Sequence, residues 1–121
     1  MRMAFALVAA TLAGNAGAAP IELLCKGEVV LGGEISSGSF VLELDSESGR
    51  ASFWTPDGEG RGVLKAGSKD YLGHIVAPNG NRYSLTLDRY DGSLFLIRID
   101  PPPPDRKVSF WGQCVRAIKQ F

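Results

Sequence analysis

A chain of 121 residues with 13 Lys and Arg, 13 Asp and Glu, one His, two Cys and 15 Gly has room for one domain. Zero net charge excludes the cationic excess with which nucleic-acid binders hold phosphate, and one His with two Cys is too few for the common four-ligand zinc sites. Glycine far above its usual share of about 7% calls for a fold rich in turns.

Residues 1 to 18 read as a secretory signal peptide. Arg2 is a short positive start, Met3 to Ala13 an uncharged apolar core, and Ala16-Gly17-Ala18 an A-x-A cleavage site. The apolar run is shorter than the roughly 20 residues that cross a bilayer, so no membrane span is expected. Cleavage after Ala18 leaves one domain, residues 19 to 121, and removes one cation, Arg2. The expected location is periplasmic or secreted. Glu22-Leu23-Leu24 is neither uncharged nor small-ended enough to be a lipobox before Cys25, so Cys25 reads as structural.

The rest of the chain breaks into short alternating stretches. Ile21 to Leu31 is strand-like. Phe40, Leu42 and Leu44 alternate with Val41, Glu43 and Asp45. Arg50 to Trp54 follows the turn residues Ser48-Gly49. Gly58-Glu59-Gly60-Arg61-Gly62 reads as a flexible hairpin tip before Val63 and Leu64. Tyr71 to Ala77 precedes the turn Asn79-Gly80-Asn81. Tyr83, Leu85 and Leu87 then alternate with polar neighbours up to Asp91-Gly92, the strongest tight-turn signal in the chain. Leu94 to Ile99 and Val108 to Ile118 complete the set. Pro101 to Pro104 cannot join a ladder and reads as a stiff polyproline connection. About eight strands at a spacing near ten residues, with no helical period, predict an all-β antiparallel barrel or sandwich.

An exported chain with two cysteines has one possible bridge, Cys25–Cys114. It closes almost the whole domain, so the first and last strands are expected to be neighbours. The pair lacks the C-x-x-C spacing of redox sites.

Signals for chemistry are sparse. His74, the only histidine, shares strand parity with Leu72 and Val76; catalysis would require it to find a carboxylate. Asp57-Gly58-Glu59 lacks the spacing of a calcium loop and reads as a turn. The glycine run does not lie in a strand–helix unit, so it is no nucleotide loop. No cofactor and no metal are implied. Phe53 and Trp54 take opposite faces of one strand, as do Phe110 and Trp111. With both Phe inside, Trp54 and Trp111 point outward, where with Arg98 they form a candidate binding surface, unless that face is covered as in a sandwich or by a long stem such as that of Arg98. Ser48, Gly49, Asp57 and Arg61 are candidate loop contacts.

Cys25-x-Gly27, Leu87-Asp88-Arg89-Tyr90-Asp91-Gly92 and Phe110-x-Gly112-x-Cys114 together resemble a group of short secreted proteobacterial proteins. That group shares a Cys-x-Gly opening, an L-x-R-x-x-G hairpin and a closing F-x-G-x-C. The resemblance implies a periplasmic one-disulfide β-fold without an assigned activity. The S-G-x-x-Y signature of lysozyme-inhibitor barrels is approached by Ser48-Gly49-Arg50-Ala51-Ser52, which ends in Ser, and by Ser37-Gly38-Ser39-Phe40, whose aromatic comes one residue early. The expectation is a non-enzymatic interaction module for an envelope protein, a glycan or a small ligand. The alternative is an inhibitor of an envelope hydrolase inserting the Ser48-Gly49 or Asp57 to Gly62 tip. A small enzyme using His74 is a third reading.

Overall fold

The computed structural model describes residues 20–99 and 107–117. The segment expected to be a signal peptide, the polyproline run and the tail beyond Ala117 lie outside the described residues. The described residues form eight strands: β1 (Ile21–Leu31), β2 (Glu34–Leu44), β3 (Arg50–Thr55), β4 (Gly58–Ala66), β5 (Asp70–Val76), β6 (Arg82–Asp88), β7 (Ser93–Arg98) and β8 (Lys107–Arg116). Each pairs antiparallel with the next, and β8 returns to β1, so the sheet is a closed barrel rather than a sandwich. None of the described residues belongs to a helix long and apolar enough to cross a membrane.

Closure follows the expected pairing of first and last strands. β1 and β8 run in register from Leu23–Arg116 to Val29–Phe110, with Cys25 directly opposite Cys114. The two are disulfide-bonded, with Cα atoms 3.9 Å apart. The bridge fits an oxidising, extracytoplasmic setting.

The period-two pattern sorts side chains as a half-buried sheet requires. Leu42, Leu44, Phe53, Ile75, Leu85, Leu94, Leu96 and Phe110 turn inward and are buried. Phe40, Phe53 and Phe110 meet edge-on, with centroids 5.5 to 6.1 Å apart, in the middle of the core. Eight-stranded barrels have an interior just wide enough for side chains to fill.

Glycine does more here than turn the chain. Gly60 and Gly62 do not form a flexible tip: they lie within β4, on the inward face opposite Phe53 and Ala51. A Cβ at Gly62 would overlap the His74 carbonyl oxygen, and one at Gly112 would overlap that of Lys26. Bare backbone at these points lets strands approach closely and coil tightly around bulky rings. Gly58, at φ 115°, opens β4 directly after the Pro56-Asp57 turn.

β2 also differs from its sequence reading. It begins at Glu34, six residues before the alternation of Phe40 to Leu44 becomes visible. Glu34 to Ser39 pairs with β1 along its full length, although Ser-Ser-Gly-Ser carries no apolar rhythm.

Candidate functional site

β1, β3, β5 and β7 run toward one end of the barrel, and the other four strands run back. The far end carries the Gly32-Gly33 turn, the Pro56-Asp57 turn and the 77–81 loop. The near end carries 45–49, 67–69 and 89–92 with the disulfide. The expected loop contacts are therefore split: Ser48 and Gly49 are near, Asp57 is far, and Arg61 lies within β4 opposite Ser52, not in a loop.

At the near end, Asp45 Oδ1 accepts from the N–H groups of Glu47 (2.9 Å) and Ser48 (3.3 Å), and these bonds lower its pKa. Gly49 follows at φ 80°. The Asp88 carboxylate likewise accepts from the N–H groups of Tyr90 and Asp91. Gly92, at φ 78°, then accepts from Cys114 N–H at 2.8 Å. The turn signal at Asp91-Gly92 is thus a loop fastened to the disulfide strand. The arrangement brings Asp91-Gly92 and the Cys25–Cys114 bridge together at the β8–β1 closure.

The far end holds a polar cluster that no local pattern announces. Asp57 Oδ2 accepts from the Tyr83 hydroxyl at 2.5 Å and from Asn81 Nδ2 at 2.8 Å. Asp57 N–H donates to Thr55 Oγ1 at 3.1 Å, and that hydroxyl donates to Gly58 O at 2.6 Å. The Tyr83 and Asn81 bonds hold the Asp57 carboxyl below the usual carboxylate range. Burial, with the bond to Asp57 second, pushes the Tyr83 phenol up to about 12. Arg98, across the ladder from Tyr83, shares the inward parity of Leu94 and Leu96, and its Nε is buried with no hydrogen-bond partner among the described residues. Arg98 therefore lies on the other side of the sheet from Trp111 and does not shield it. Arg61 points out and sits 3.9 Å from Glu59 in a largely solvated pair.

The two tryptophans part company. Trp54 is half-buried: it stacks on Phe40, with centroids 4.4 Å apart and planes 8° from parallel. Its place on β3 keeps the alternation, on the face opposite buried Phe53, and the ring covers Phe40 beyond the last β2–β3 pairs, Glu43–Ser52 and Leu44–Ala51. Trp111 stays on the outer face, half-buried, directly opposite Phe95, which is 46% exposed. Beside this pair runs a polar row, Ser93, Gln113 and Lys26, and Glu28 flanks Trp111 on β1.

His74 lies exposed on the outer face of β5, between Val63 and Ser84 across the ladders. Among the described residues, no three His, Cys, Asp or Glu side chains come together as metal ligands would. No known protein family, no curated protein and no solved structure matches this chain.

Proposed function

We propose that the protein is a periplasmic or secreted, non-enzymatic binding module that meets its partner through the outer face around Phe95 and Trp111. The observation that carries this reading is the outward pairing of two large aromatic residues in the middle of a ladder. Exposed aromatic surface rimmed by hydrogen-bonding groups is a recurrent signature of contact surfaces. Here the polar rim is Ser93, Gln113, Lys26 and Glu28. The interior is given over to core packing, so recognition falls to the outside. An envelope protein or an envelope glycan fits this surface chemistry.

The test compares the exported, oxidised protein with its Phe95→Ser and Trp111→Ser variants in binding to isolated envelope fractions and purified cell-wall glycan. Both variants should keep the wild-type circular dichroism and lose binding at least about tenfold, a hot-spot-sized effect. Undiminished binding by both variants would remove this face from the reading. Protection of cell-wall substrate against added lysozyme would favour a hydrolase inhibitor instead.

A further inference from the structure

β2 has a free edge. Its ladder with β3 ends at Glu43–Ser52, while its ladder with β1 continues to the hairpin tip. Leu31 and Glu34 close a two-residue Gly32-Gly33 loop. In such a hairpin the even-numbered residues of β2 turn their N–H and C=O groups toward β1, and the odd-numbered ones turn them away. Asp45 N–H, which donates to Arg50 O at 2.8 Å across the β3 side, follows the same parity. Ile35, Ser37 and Ser39 therefore aim backbone donors and acceptors at a side where no described strand pairs with them. All three are exposed, as is Val41. Natural edges are usually blunted by Lys, Pro, an inward charge or a bulge. The stretch Ile35-Ser36-Ser37-Gly38-Ser39-Phe40-Val41 has none of these and carries no charge at all.

We infer that this edge pairs with the same edge of a second copy of the chain, antiparallel about a two-fold axis at Gly38. Self-pairing of one strand is the simplest isologous contact. The register follows from the side chains. Centred on Gly38, Ile35 faces Val41 of the second copy, Ser37 faces its Ser39, and Val41 faces its Ile35. These odd-numbered residues are the ones with free backbone groups, so hydrogen bonding and register agree. The two exposed aliphatic residues, 60% and 47% accessible, cover one another twice across the axis. Glu34 and Glu43 fall outside the paired stretch, so no like charges meet within it. A depression of about 380 Å³ beside Ser39–Val41, walled by Phe53, Trp54 and Glu59, lies where the incoming Ile35 arrives. One strand pair buries less than the roughly 1,000 Å² of a durable interface, so the dimer is weak and dependent on concentration.

Sedimentation equilibrium of the exported, oxidised protein, from low-micromolar to millimolar concentration, tests this. The wild type should pass from monomer to dimer. Ile35→Lys/Val41→Lys sets lysines opposite lysines and should weaken the dimer at least about tenfold. Ile35→Lys/Val41→Glu sets opposite charges together and should restore it to within about threefold at low salt, with the gain lost at high salt. Both substituted positions lie on exposed surface, and unchanged circular dichroism checks that each variant folds. A wild type that stays monomeric throughout overturns the inference. So does a dimer indifferent to the lysine pair, or one that the charge swap fails to restore.

Discussion

The barrel has two seams of opposite character. Where β8 meets β1, the ladder runs through seven pairs, and a disulfide fastens the middle of it. Where β2 meets β3, two pairs hold the ladder, a stacked Phe40–Trp54 pair lies just beyond them, and Glu34 to Ser39 meets no described strand on that side. A cross-link between the ends of the chain fixes the circumference once. The small barrel can then leave another seam partly open, with its unused backbone groups available to a partner. Covalent closure at one side and an exposed edge at the other belong to one design.

Breaking the tied seam should have the largest effect. The bridge spans a sequence separation of 89, and for so long a loop the chain-entropy relation gives about 4–5 kcal/mol. Cys25→Ser/Cys114→Ser should lose about that much in equilibrium denaturation, a large share of the 5–15 kcal/mol typical of a domain. A loss below about 1 kcal/mol would mean that the β1–β8 ladder closes the barrel without the bridge.

The open seam is steadied from its other side. The turn after β3 is held to β6 by Asp57 and the buried Tyr83 hydroxyl. Tyr83→Phe removes a hydrogen bond to a charged group and should cost about 1.5–3 kcal/mol in urea denaturation. Its pH dependence has two limbs. The Asp57 pKa is lowered in the folded state, so its contribution is present above the ordinary carboxylate range and is lost as pH falls through the folded value. The Tyr83 pKa is raised, so its contribution is complete below the ordinary phenol value of 10.0 and is lost as pH rises through about 12. Tyr83→Phe should therefore flatten the acid limb and abolish this residue's alkaline limb. Parallel stability–pH curves for wild type and variant would show that the cluster does not link the two strands.

The closure was readable because two cysteines allow one bridge, and that bridge requires β1 and β8 to touch. The strands rich in Leu, Tyr and Phe were readable because one buried face imposes alternation. Two strands were obscured by glycine and serine. Gly58-x-Gly60-x-Gly62 carries a period of two, but the residue on the core side is glycine, which a hydrophobicity pattern does not register. Glu34 to Ser39 is extended only because β1 holds it. The far-end cluster was hidden for a different reason: Asp57 and Tyr83 are 26 residues apart, and only the barrel brings them together.

Amide hydrogen exchange resolved by residue, on dilute monomeric protein, tests the two-seam account most directly. In β2, Ser36, Gly38 and Phe40 point their N–H groups at β1 and should exchange slowly, whereas Ile35, Ser37 and Ser39 should exchange fast. Leu24, Lys26 and Glu28, whose groups face β8, should be among the slowest in the chain. Uniform protection along β2 in the monomer would contradict the account, because it would mean that the β2–β3 seam is closed.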